Sequence, residues 1–143
     1  MTAYLLDENV LKELTPFGNE NVRAWYAAVS AADIYISVMT MFEKRRGWER
    51  LKRSKPAEAA SMFAKLDALE AAYGENLVSI DAAIAAEWAR LLGAKEKNQR
   101  DRALAATARM RGLILVTRNI ADFRGCDVQV LNPFIKVPLV ETV

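Results

Sequence analysis

Histidine is absent from the 143 residues, and cysteine occurs once, at Cys126. A single cysteine closes no intrachain disulfide, and zinc sites built from His and Cys are excluded. General-base mechanisms through imidazole, including serine–histidine triads, are excluded with them. Long apolar runs are also missing. Nothing approaches the roughly 18 consecutive apolar residues of a membrane-spanning helix. The opening MTAYLLDENV lacks the basic start and cleavage site of a secretory leader. The expectation is a cytoplasmic protein without a membrane span. Any chemistry has to run on carboxylates, hydroxyls, Lys, Arg or a hard metal ion.

What is present suits one globular domain over residues 1–143: hydrophobic residues make up 52%, enough for a core. The net charge of +2 says little about partners, but its distribution says more. Lys44, Arg45, Arg46, Arg50, Lys52, Arg53 and Lys55 face a single acid, Glu49, in the same stretch. Lys95, Lys97, Arg100 and Arg102 form a second basic run. Such runs are usually solvated helix faces, and they also suit a phosphate backbone. Charge alone does not choose between these.

Short apolar runs alternate with helical patterns along the chain. Residues 3–6, 34–36, 77–80, 113–116 and 127–131 read as strands. Helices are expected over residues 9–14, 21–29, 38–53, 56–73, 82–92 and 101–111. Ser37 and Asp81 are placed to cap two of them, Pro56 opens one, and Gly74 and Gly112 end two. In the helix from residue 38, Val38, Met41, Phe42, Trp48 and Leu51 fall near one face. The tail around Pro133 and Pro138 reads as irregular. Alternation of this kind implies a parallel sheet covered on both faces, with ligands outside the carboxyl ends of the strands.

That rule selects acids. Asp7 ends the first strand, and Glu43 lies early in the helix after the second. Asp101 opens the Ala-rich helix D-R-A-L-A-A-T-A, and Asn119 and Asp122 follow the fourth strand in V-T-R-N-I-A-D-F. Singly, each is an ordinary cap, turn or surface residue. Together they put several carboxylates at one sheet edge, where they need a counter-charge to stay ionised. With no His or Cys at hand, all-oxygen ligation points to Mg²⁺ or Mn²⁺.

The strand-end L-L-D-x-N-V-L, the E-x-x-x-G after the second strand, the D-x-x-x-A-A-T-A helix and V-T-R-N-x-x-D-F resemble PIN domains of the VapC/FitB type. The order and spacing match along nearly the whole chain, closing on V-L-N-P-F. The resemblance implies a three-layer α/β/α domain with a five-stranded parallel sheet. It implies Mg²⁺- or Mn²⁺-dependent endoribonuclease activity and the toxin role in a toxin–antitoxin pair. Asp7, Glu43 and Asp101 match the family's acidic ligands by motif position; the next position is open between Asn119 and Asp122, with Asp122 also a candidate catalytic acid. Three positions depart from the pattern: Glu8 where Thr is usual, Lys44 where Leu is common, and Arg102 where a small residue is usual.

Partners follow from the same resemblance: an RNA substrate, a cognate antitoxin, DNA only through that antitoxin, and a second copy in a homodimer. Arg45, Arg46, Arg50 and Arg102 flank the acids and are candidate RNA contacts. Met39, Trp48 and Met62 are candidate antitoxin contacts, in helices carrying more large apolar surface than one sheet face needs. A haloacid-dehalogenase-like phosphatase requires an acid where Asn9 stands. A phosphoacceptor receiver domain requires a lysine after a late strand, whereas Lys95 and Lys97 precede the fourth. The remaining competitor is a non-catalytic module that binds RNA or an antitoxin through the same groove, suggested by Glu8 and Asn119.

Overall fold

Leu5 and Leu6 are neighbours in the first strand, yet they enter two different apolar cores. Leu115 separates from Ile114 and Val116 in the same way, as does Val130 from Leu131. A pleated strand sends successive side chains to opposite faces, so this sheet is covered on both.

The structure, a computed structural model, describes residues 2–94 and 97–143. Lys95, counted above with the second basic run, lies outside them. Strand β1 (Tyr4–Leu6) pairs in parallel with β2 (Ile34–Ser37) and β4 (Ile114–Val116). Beyond these lie β3 (Leu77–Val78), parallel to β2, and β5 (Gln129–Leu131), parallel to β4. The sheet order is β3-β2-β1-β4-β5-β6.

That sixth strand corrects the expected count of five. Strand β6 (Val140–Thr142) runs antiparallel to β5 from the tail expected to be irregular. All three of its residues are exposed, so neither an apolar run nor an in–out alternation marks it in the sequence.

Helices α1 (Glu8–Leu11), α2 (Glu20–Ala27), α3 (Val38–Leu51) and α4 (Pro56–Tyr73) cover one face. Val10, Val22, Met41 and Leu66 come from these four helices into one core. Helices α5 (Ala82–Leu92) and α6 (Gln99–Arg111) cover the other, through Ile84 and Leu104. Three α/β/α layers result. Every residue from Ala103 to Ala108 is buried, and the alanines there let α6 lie close to the sheet. Thr107 turns inward and donates to the Ala103 carbonyl at 2.8 Å. Helix α6 stops at Gly112, whose φ of 65° is left-handed.

Helix α3 is phased differently from the expectation. Thr40 and Met41 are the residues it buries, while Phe42 is 55% and Leu51 39% exposed. Phe42 follows Met41 by about 100° around the helix, which carries it out of the core that Thr40 and Met41 occupy.

The topology also locates a crevice. From β1 the chain moves outward through β2 and β3, then returns to place β4 on the other side of β1. The order reverses between β1 and β4, and their carboxyl ends form a switch point. Asp7 and Thr117 stand immediately beyond those ends, because Leu6 and Val116 are register partners.

Candidate active site

The backbone continues the sheet for one residue past β1: the Asp7 amide donates to the Val116 carbonyl at 2.9 Å. The Asp7 side chain then has to be satisfied inside the protein, since the residue is only 1% exposed. Its Oδ1 accepts from the Glu8 amide at 2.7 Å, capping α1. Its Oδ2 accepts from Thr117 Oγ1 at 2.9 Å and Asn9 Nδ2 at 3.3 Å. Thr117 Oγ1 in turn accepts from the Asn119 amide at 3.1 Å. Asn9 Oδ1 accepts from the Arg118 amide at 3.2 Å, which ties the loop after β4 to the start of α1.

A cavity of about 390 Å³ opens at this edge, lined by Glu8, Asn9, Glu43, Lys44, Arg100 and Asn119. Glu43 is half-buried and enters it from α3. Asp101 reaches the same edge from the first turn of α6. Asp101 is joined to Asp7 through a group that the sequence showed only as part of a basic run: Arg100. Its Nη1 donates to Asp101 Oδ1 at 2.8 Å, and its Nη2 donates to Asp7 Oδ1. As the side chains stand, no three acids among the described residues close on one point. The Arg100 guanidinium bridges two of them instead.

The electrostatics agree with that arrangement. Burial works against the charged form of Arg100, but the charges of Asp7, Asp101 and Glu43 and the bond to Asp7 hold its pKa above the ordinary value. Burial pushes the Asp101 carboxyl up; Arg100 opposes this, and the charges of Asp7 and Asp122 add to it. Asp122 lies exposed in a 3₁₀ turn (Ile120–Phe123) and does not line the cavity, although its charge is felt at Asp101. Asn119 does line it.

Comparison with known proteins settles the lineage. Residues 4–125 match the PIN domain model. The chain belongs to the PIN domain family. It is similar to Toxin FitB of Neisseria gonorrhoeae, with 32% identity over 136 residues that cover 91% of this chain and 97% of that one. Among solved structures it resembles FitAB bound to an IR36 DNA fragment, with 29% identity, a TM-score of 0.77, and 92% of this chain and 96% of that one covered. A toxin–antitoxin complex from Klebsiella pneumoniae gives 25% identity and a TM-score of 0.64, with 92% and 98% covered.

Within this PIN domain, Thr117, Asn9 and Arg100 are the site residues that sequence reasoning passed over. Thr117 had a readable signal, a hydroxyl following the apolar β4 at the position parallel to Asp7. The candidate RNA-binding arginines are placed unequally. Arg46 and Arg50 are exposed on α3. Arg45 is tied to α4, 2.6 Å from Asp67 Oδ1 and 3.1 Å from Glu70 Oε1. Arg102 is half-buried and donates to the Cys126 thiol sulfur.

Trp48 and Met62 line a second cavity, of about 430 Å³, between α3 and α4. Met62 and Lys65 also line a third, of about 400 Å³, that reaches Lys44. Lys44 lines the cavity at the sheet edge as well, so neighbouring cavities share side chains from Glu43's surroundings to Trp48. Met39 lines none of these three cavities. No helix among the described residues is long and apolar enough to cross a membrane.

Proposed function

We propose that this chain is the toxin of a toxin–antitoxin pair and acts as a divalent-metal-dependent endoribonuclease. The observation that carries the reading is the burial of the Asp7 carboxylate at the switch point of a PIN-domain sheet, with Asp101 linked to it through Arg100 and Glu43 lining the cavity at the same edge. A carboxylate buried at a sheet edge, with other acids near it, favours a cation at its side. The donors there are all oxygens, which fits Mg²⁺ or Mn²⁺. Asp7, Glu43 and Asp101 would hold the ion, with Asn119 or Asp122 completing the set and Asp122 a candidate acid at the reaction. When bound, the ion would supply an activated water and charge stabilisation at phosphorus.

The chain's own residues do the rest. Thr117, Asn9 and the Glu8 amide orient the Asp7 carboxylate. The exposed Arg46 and Arg50 offer charge to an RNA backbone, positioning it without reading bases. Toxin FitB and the DNA-bound FitAB structure support a toxin assignment, an antitoxin partner and DNA contact made through that partner. A second reading is favoured by one observation, the Arg100 bridge: a non-catalytic module whose acids are permanently neutralised by its own arginine. Cleavage of total RNA by the purified chain, with Mg²⁺, with Mn²⁺ and with chelator, separates the two. The nuclease reading expects cleavage with either metal, none with chelator, and none from an Asp7→Asn variant that melts like the parent. Cleavage that persists in Asp7→Asn, or fails with both metals, overturns it.

A further inference from the structure

We propose that Arg100 is a built-in competitor for the divalent cation: its guanidinium occupies Asp7 and Asp101, and it must leave before the ion can load. The proposal rests on the metal-dependent reading above. It follows from which oxygens are engaged. Arg100 Nη2 binds Oδ1 of Asp7 and Nη1 binds Oδ1 of Asp101, the latter at 2.8 Å. An ion shared by these two carboxylates needs the same edge of both. The planar fork of an arginine spans two acids in a way the point charge of a lysine does not.

The other groups at the site do not duplicate this role. The hydrogen bonds that Asp7 receives from Glu8, Asn9 and Thr117 satisfy its lone pairs but bring no formal positive charge. Lys44, the other cation lining the cavity, is held by Glu8 at 3.1 Å. Among the described residues, Arg100 is thus the cation in direct contact with the Asp7 carboxylate. Its side chain also has a way out: it is 28% exposed and lines the open cavity. Its position next to Asp101 in the chain keeps it near the acids after it leaves them. The consequence is a threshold, with metal loading only at concentrations that outcompete an intramolecular guanidinium.

The experiment measures Mn²⁺ binding to the full chain by titration calorimetry, for the parent, Arg100→Gln and Arg100→Lys, with thermal melts at each metal concentration. Arg100→Gln should bind Mn²⁺ roughly 10–100-fold more tightly, the size of effect that substituting a ligand's hydrogen-bond partner has, with the sign reversed because Arg100 competes with the ion. Arg100→Lys should fall between it and the parent. The metal-free Arg100→Gln protein should melt below the parent, and saturating Mn²⁺ should close the gap. Side-chain NMR of the parent's arginines needs no variant: the bonded Arg100 guanidinium should lose its exchange protection as Mg²⁺ is added. Equal affinity in parent and variants, or an Arg100 that stays protected at saturating Mg²⁺, overturns the inference and leaves the nuclease reading standing. Absence of Mn²⁺ binding in every protein overturns both.

Discussion

Lys44 Nζ lies 3.1 Å from Glu8 Oε1, joining α3 to α1 at the rim of the acidic cavity. These are two of the positions at which the chain departs from the PIN pattern, and the structure shows the departures answering each other. With side chains 21% and 34% exposed, the pair is partly screened by solvent. A double-mutant cycle with Glu8→Gln and Lys44→Met should give a coupling of about 0.2–1 kcal/mol in denaturant unfolding. The coupling should shrink at high salt. Additive effects of the two substitutions would mean that the pair contributes nothing.

Thr117 holds Asp7 from the neighbouring strand, and its hydroxyl is fully buried. Thr117→Val preserves the shape and removes the donor to a buried carboxylate. The expected loss is about 1.5–3 kcal/mol, as for hydrogen bonds to charged groups. Urea unfolding measures it. A stability change below about 0.5 kcal/mol, the scatter of surface substitutions, would show that Asp7 is satisfied without Thr117.

How far the site was legible in the sequence depends on the kind of signal each residue leaves. Asp7 was legible because an apolar strand stops there, and a parallel sheet puts strand ends at one edge. Glu43 and Asp101 were legible as positions on helices entering from that edge. Arg100 was not: beside an acid, in a polar segment, an arginine looks like any solvated charge, and only the folded chain shows which carboxylates its fork reaches. Phe42 misled for the opposite reason, since an apolar residue one step from a buried one fits a helical stripe until the helix phase is known. Strand β6 left no pattern because its side chains are all exposed.

Tyr73, at the end of α4, gives a pH signature. Burial, with a smaller contribution from the charge of Tyr26, pushes its pKa up from 10.0 to about 12. The folded state therefore holds this proton more tightly than the unfolded chain does. Its contribution to stability is complete below pH 10.0 and is lost as pH rises through about 12. Phenolate absorbance should show a tyrosine ionising near pH 12, and Tyr73→Phe should delete that step. A phenolate step near pH 12 that survives in Tyr73→Phe, or its absence from the folded parent, would contradict this.

Phe42 is 55% exposed and immediately precedes Glu43 on α3. An aromatic so exposed is a candidate contact for a second copy, the homodimer that the family resemblance implies. Sedimentation at micromolar concentration should show a dimer for the parent and a monomer for Phe42→Glu, with far-ultraviolet dichroism unchanged. A monomeric parent, or a variant that still dimerises, would move the interface elsewhere.

The groove from Lys44 past Met62 to Trp48 is where an antitoxin segment would lie. Its floor is apolar, with Leu66 and Leu69 from α4, and Leu11 and Leu14 on the opposite side. Lys44 and Lys65 flank it with positive charge. An amphipathic helix with acidic residues along its edges fits these walls, and Lys44, which lines this cavity and the one holding Glu43, would let the same segment reach Glu43. Met62 lines both apolar cavities, so it is the residue whose removal should matter most. Met62→Ala should weaken antitoxin binding roughly tenfold or more, as loss of a central apolar contact does, and Trp48→Ala should act in the same direction. RNA cleavage by the partner-free protein should be unchanged in both, because neither residue lines the acidic cavity. Titrating each variant with antitoxin, and reading the residual ribonuclease activity, measures both effects at once. Full inhibition of Met62→Ala at the parent's antitoxin concentration would place the partner on another surface.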